Sequence, residues 1–219
     1  AEAKAICKYS DVVVACLGLD AGLEGEEGDE GNAFASGDKP NLNLPGIQED
    51  LLKTLYECGK PVILVLLSGS ALAVNWADEN IPAIIQGWYP GAQGGRAIAE
   101  MIFGECSPEG KLPITFYKTS EELPEFTDYS MKNRTYRYMT NEALYPFGYG
   151  LSYTKFEITD VNASTDKITD DGIDIICKIK NVGEYFSRET IQVYVKADDQ
   201  VKKGDLLVMN DSRVIPARL

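Results

Sequence analysis

Three short, almost wholly apolar stretches mark the first half of the chain: DVVVACLGL at residues 11–19, PVILVLL at 61–67 and AIIQGWY at 83–89. Runs of this length, rich in branched side chains, suit strands buried on both faces of a parallel sheet. Between them the spacing of apolar positions lengthens toward that of a helix. Residues 45–58 carry an apolar stripe of Leu51, Leu52 and Leu55, and Gly59 stops it. Residues 1–9, 71–78 and 94–103 read as further helices, the last followed by Gly104. Strands alternating with helices at this spacing predict βαβ units around a mainly parallel sheet, an α/β fold.

The texture changes after Pro113. Residues 114–117 read as a short strand, 118–141 as polar, aromatic-rich irregular chain, and 144–154 (LYPFGYGLSYT) as a Gly- and Tyr-rich connector. Beyond Lys155 the period falls to two, with strands expected at 156–161, 173–181 and 189–196. In the last of these Thr190, Gln192 and Tyr194 alternate with Ile191, Val193 and Val195. Three strands fall short of the roughly seven of a β-sandwich. The expected layout is therefore an α/β domain over 1–118, an irregular linker over 119–152, a partial β domain over 153–200 and a tail over 201–219.

Composition narrows the chemistry. The 219 residues include 34 Asp and Glu against 21 Lys and Arg, a net charge of −13, and no histidine. Mechanisms built on imidazole, such as Ser-His-Asp triads and zinc sites with His ligands, are excluded. The acidic balance argues against nucleic acid and anionic membranes as partners, and the longest apolar run is too short to span a bilayer. Five cysteines without C-x-x-C spacing read as reduced, mostly buried small hydrophobes. That favours a cytoplasmic location, as does a mixed, partly charged opening with no signal-peptide pattern. The first residue is Ala, not Met, and the chain reads as a piece of something longer.

The densest candidate chemistry is the acidic, glycine-rich stretch over residues 20–40, which follows the first strand. Long loops at the carboxyl end of a strand are where α/β folds place their sites. Within it runs LEGEEGDE, residues 23–30. Three readings stand side by side: a solvated acidic loop, a calcium loop without EF-hand spacing, or a carboxyl acid/base. Crowded carboxylates raise one another's pKa, so one Glu can stay protonated and donate to a leaving group. Ser36-Gly37-Asp38-Lys39 reads either as a turn or as a polar clamp beside that loop. Trp88 and Tyr89 end the third apolar run, as core packing or as a platform for sugar stacking. The glycines around Arg96 and the Gly18–Gly22 turn match neither nucleotide-binding fingerprint. Ser68-Gly69-Ser70 is not a nucleophile elbow, and no cofactor or metal is called for. The Asn-x-Ser/Thr triplets at Asn133, Asn162 and Asn210 are read as chance.

Several blocks together resemble the C-terminal half of glycoside hydrolase family 3, the β-glucosidase and β-xylosidase family. They are VVVACLGLDAGLEGEEGDE, GDKPNLNLPGIQEDLL, KPVILVLLSGSALAVNWADENIPAIIQGWYPG, GGRAIAEMIFGECSPEGKLPITFY, DYSMKNRTYRY and LYPFGYGLSYT. The resemblance runs almost continuously from residue 11 to residue 196. It implies a partial α/β sandwich followed by an incomplete fibronectin type III-like β-sandwich. It also implies an N-terminal barrel, absent here, that carries a nucleophilic Asp, and a loop in the α/β domain that carries the acid/base Glu. The family's Gly-Glu pair falls on Gly25-Glu26 and its Gly-Asp turn on Gly37-Asp38-Lys39. The resemblance thus assigns the acid/base to Glu26, with Glu24 and Glu27 as rivals, and Asp38, Lys39 and Trp88 are the candidate sugar-binding residues. The implied substrate is a terminal β-linked glucose or xylose in an oligosaccharide or glycoside, and the fragment alone is expected to be inactive. A non-catalytic α/β module that binds sugar or a partner protein is the alternative.

The end departs from this pattern. Residues 203–219, KGDLLVMNDSRVIPARL, resemble a block of S-adenosylmethionine:tRNA ribosyltransferase-isomerase. Seventeen residues cannot build a core, so a tRNA-modifying role is not expected. A sheet lacking its opening strand exposes an edge and an apolar face, which predicts association through exposed edges.

Overall fold

The structure, a computed structural model, describes residues 2–20, 22–24, 39–165 and 172–193. The chain divides into two compact units, one of Ala1–Ala99 with Leu112–Tyr149 and one of Glu100–Lys111 with Gly150–Leu219.

In the first unit β1 (Val13–Gly18), β2 (Val62–Leu67) and β3 (Ala83–Gln86) form a parallel sheet in the order β1-β2-β3. Val13 pairs with Val62, and Ile63 with Ala83. The helices are α1 (Glu2–Cys7), α2 (Gln48–Tyr56), α3 (Asn75–Asn80), α4 (Gly94–Ile102) and α5 (Thr135–Tyr138). The core gathers β2 (Val62, Leu64, Leu66) with Leu52 and Leu55 of α2 and Leu72, Val74 and Ala77 around the start of α3. Leu52, Leu64 and Leu72 are fully buried.

The expectation of strands buried on both faces holds only for β2. β1 and β3 lie at the ends of the described sheet, and Val14 of β1 is 47% exposed. One helix expectation and one strand expectation shift. Residues 71–74 are not helical; all four are buried, and α3 begins only at Asn75. Burial of four successive residues suits an extended path and not one helical face. β3 stops at Gln86, because Trp88 takes a left-handed φ of 53° that no strand continues. The strand expected at 114–117 is reduced to a single bridge, Phe116 with Tyr145. The segment read as irregular holds a 3-10 turn at Ser120–Glu122 and the short α5. Of the five cysteines only Cys7 is buried, while Cys16 and Cys106 are exposed. Cysteine's usual preference is overridden by the open face of β1.

The turn into α2 explains a run of small and polar residues in the sequence. The Gln48 side chain reaches back to the end of β1. Its Nε2 donates to Gly18 O at 2.8 Å, and its Oε1 accepts from Gly18 N at 2.7 Å. Only glycine fits there: φ at Gly18 is 139°, and a Cβ would sit 2.0 Å from Leu67 O.

The second unit is a two-stranded antiparallel sheet of β4 (Phe156–Ala163) and β5 (Ile175–Asn181). Phe156 pairs with Asn181 and Ala163 with Ile175, and the register slips between Thr159 and Asn162, where Asp160 has a φ of 53°. That pattern is a β-bulge. The third strand expected at 189–196 does not form over Glu189–Val193, and the rest of it lies outside the described residues. The 201–219 tail lies outside them too.

Candidate active site

The carboxyl ends of the three parallel strands lead into the turns Leu19–Asp20, Ser68-Gly69-Ser70 and Gly87-Trp88-Tyr89. In a parallel sheet this end collects the loops that carry function. Here the three turns meet around one carboxylate, that of Glu24. Its Oε2 accepts from Gly69 N at 2.9 Å and from the Tyr89 hydroxyl. The chain reaches that point through a turn built on Asp20, whose Oδ1 accepts from Gly22 N at 2.8 Å and Leu23 N at 3.0 Å.

Gly69 is the residue that allows the arrangement. A Cβ on it would lie 2.9 Å from Tyr89 Cε2 and 3.0 Å from Glu24 Oε2. Both groups therefore close directly over its backbone. Beneath them Gln86 Nε2 donates to Ser68 Oγ at 3.1 Å, and Ser68 Oγ donates to Ser70 O at 2.8 Å. This chain fixes the Ser68–Ser70 turn from below. Gln86 Oε1 and Ser70 Oγ are buried without a hydrogen bond of standard geometry.

The electrostatics follow from the geometry. Burial acts to raise the Glu24 pKa. The Ser70 and Tyr89 hydroxyls, the Gly69 amide and the Lys39 charge outweigh it and hold the carboxyl below the usual range. The Tyr89 phenol is pushed up to about 12 by burial, by its bond to Glu24 and by that residue's charge. At neutral pH the pair is thus a carboxylate accepting from an intact phenol. Lys39 Nζ donates to Ala71 O at 2.7 Å. Burial lowers its pKa, and the facing charge of Glu24 works the other way. Lys39 also lines a cavity of about 180 Å³ with Leu19, Leu23, Asn41, Asn43 and Leu44.

Trp88, in its left-handed backbone, packs edge-on against the buried Phe116 at 6.1 Å. A non-glycine residue held there costs on the order of 1–3 kcal/mol, and such strain gathers at functional sites. Phe116 in turn contacts Tyr145, whose hydroxyl donates to Asp78 Oδ1 at 2.6 Å. Burial and the Asp78 bond push the Tyr145 pKa up.

Of the residues singled out by sequence, Glu24, Lys39 and Trp88 are thus placed around the strand ends. The Lys39 charge acts on Glu24, and Trp88 adjoins Tyr89, which holds Glu24. Glu26, Glu27 and Asp38 lie outside the described residues. The roles of Tyr89 and Gly69 as partners of Glu24 were not read from sequence. They stand 65 and 45 positions away from it, and only the rule that strand ends converge could have joined them. Among the described residues no three acidic or cysteine side chains gather as a cation site, and no helix is long and apolar enough to cross a membrane.

Comparison with known proteins places the chain. Residues 1–153 match the model of the glycosyl hydrolase family 3 C-terminal domain. A xylan 1,4-beta-xylosidase of Xylanibacter ruminicola is 45% identical over 186 residues, covering 84% of this chain and 21% of that protein. A periplasmic beta-glucosidase of Salmonella typhimurium is 35% identical over 208 residues, covering 89% of this chain and 26% of that one. Among solved structures, a GH3 beta-glucosidase of Bifidobacterium adolescentis superposes with a TM-score of 0.78 at 30% identity, over 92% of this chain and 30% of its own. A β-glucosidase of Erythrobacter marinus gives 0.71 at 37% identity, over 83% and 24%. The chain therefore spans about a quarter of the length of such relatives, and within that span it belongs to the C-terminal domain family of the family 3 glycoside hydrolases.

Proposed function

We propose that this chain is the acid/base half of a retaining β-glycosidase that releases terminal β-linked glucose or xylose. The observation that carries the proposal is the contact of Glu24 with the turns that follow two of the parallel strands, in a chain whose first 153 residues match the family 3 C-terminal domain. In this reading Glu26 protonates the leaving oxygen and later activates water, while the nucleophilic Asp comes from the barrel. The two carboxyl groups of a retaining pair stand about 5–5.5 Å apart, so each half is inert without the other.

The described geometry bears on which glutamate acts. A general acid must hold its proton near working pH. Glu24 accepts hydrogen bonds from Gly69 N and the Tyr89 hydroxyl and has a pKa held low, the opposite of what that task needs. This supports Glu26 over Glu24. Asp38 and Lys39 are the proposed sugar-binding turn, and Trp88 the proposed apolar wall. Residues 1–118 form the proposed α/β domain and 119–152 its linker. Residues 153–200 form part of a fibronectin type III-like domain, and 201–219 a foreign tail with no tRNA role. The partners proposed are a β-linked glycoside and the barrel domain, with no nucleic acid and no membrane. The five unpaired cysteines support a cytoplasmic location.

The test is hydrolysis of p-nitrophenyl β-D-xyloside and β-D-glucoside. The 219-residue chain alone should release almost no nitrophenol, and the chain joined behind a family 3 barrel should restore turnover. Hydrolysis by the isolated chain at the rate of the joined protein would refute the division of labour.

A further inference from the structure

Glu24 is held more firmly than a solvated loop carboxylate needs. One oxygen takes two hydrogen bonds, from Gly69 N and the Tyr89 hydroxyl. The glycine beneath has no room for a Cβ. The three participants come from the ends of three different strands, and Lys39 is pinned beside them on Ala71 O. Such a cluster is costly unless its members are paired, and its two charges are of opposite sign. We infer that Glu24, Tyr89 and Gly69 form a clasp, and that Glu24 is a positioning residue which ties the root of the acidic stretch to the ends of β2 and β3.

The inference rests on the glycosidase reading for its consequence and on the structure for its geometry. Glu26 follows two residues after Glu24. Two residues of extended chain reach no more than about 7 Å, so the proposed acid/base stays within that covalent reach of a fixed Glu24. Displacing a catalytic group by about 1 Å can cost on the order of a hundredfold in rate. The fixed negative charge also acts on its neighbour: an ionised carboxylate nearby raises the pKa of a second carboxyl and keeps it protonated. The titratable groups that face Glu24 among the described residues are Tyr89 and Lys39, with Asp20 acting on Tyr89. Tyr89 stays neutral across the working range, so Glu24 and Lys39 supply the local charge.

Two experiments separate the clasp from the function. In the full 219-residue chain, carboxyl carbon NMR should show Glu24 titrating below the ordinary glutamate range, and Y89F should move it up. A Glu24 that titrates normally in the unsubstituted chain overturns the clasp, whatever the chain's activity. In the chain joined to a barrel, E24Q and Y89F should each lower kcat/KM by about ten- to a hundredfold. The double variant should lose no more than either alone, since both break one device. The loss should fall most heavily on poor leaving groups, which depend on the acid, azide should restore E24Q less than Glu26→Gln, and in E24Q the alkaline limb of kcat/KM should move to lower pH. Losses that multiply in the double variant overturn the clasp. Azide rescue of E24Q on activated aryl glycosides as large as that of Glu26→Gln overturns the positioning role and makes Glu24 itself the acid/base. Should the joined protein with its natural sequence be inert, the glycosidase reading fails while the titration still decides the clasp.

Discussion

The two units solve the burial of apolar side chains in opposite ways. β2, with a neighbour on either side and helices against it, buries four of its six residues, and Leu64 and Val65 have no accessible surface. β4 and β5 also carry branched apolar residues, alternating with polar ones, yet neither contains a buried one. Ile158 is 49% exposed, Val161 64% and Ile176 67%. A lone two-stranded sheet has no layer to pack against. What orders the second unit is polar. Arg188 engages Glu109 through its side chain and backbone, with Nε to Oε1 at 2.9 Å. Lys111 reaches Glu189 at 3.2 Å, and Thr154 Oγ1 donates to Asn181 Oδ1 at 2.6 Å. The contrast teaches that alternation in a sequence specifies a strand, whereas a core needs a second layer.

The contrast can be broken most forcefully at its buried end. Leu64→Ala should cost about 2–5 kcal/mol, seen as a large drop in the first unit's thermal midpoint; a change below about 1 kcal/mol would deny β2 its central place. Tyr145→Phe removes the bond to Asp78 and should cost about 1 kcal/mol, read by urea denaturation. Acid sharpens the comparison in another way. Glu109 is held low first by its bond to Arg188, and Glu24 by neutral hydroxyl and amide donors ahead of Lys39. Both folded-state values are depressed, so each contributes stability above the ordinary carboxylate range that is lost as pH falls through the folded value. Raising salt to about 1 M shortens the screening length to about 3 Å. Carboxyl NMR titration should then move Glu109 toward its ordinary value and leave Glu24 almost in place. The smallest effect is expected from Ile176→Thr on the open face of β5, within about 0.5 kcal/mol, while its light scattering should fall as the exposed apolar area shrinks.

The same contrast explains what could be read from the sequence. β1, β2 and β3 were legible because continuous apolar runs between helical segments leave little choice of fold. The boundaries failed where backbone conformation decided them: Trp88 ends β3 by turning left-handed, and nothing in AIIQGWY announces that. The buried path over residues 71–74 has the composition of a helix start, and tertiary burial overrode it. The isolated bridge at Phe116 replaced a strand because its one pairing partner is Tyr145, in a segment with no ladder to extend. At the site, Glu24, Lys39 and Trp88 were found as chemistry-bearing residues of a strand-end loop. Their contacts were not, because Gly69 and Tyr89 reach Glu24 only through the topology. Glu26, Glu27 and Asp38 rest on the family resemblance and on their spacing from those residues.

The most direct test of the account is the leaving-group dependence of Glu26→Gln in the chain joined to a family 3 barrel. The account predicts that turnover of glycosides with poor leaving groups collapses, while activated aryl glycosides still form the glycosyl-enzyme and azide restores their turnover. Unchanged turnover of poor-leaving-group substrates in that variant would contradict it.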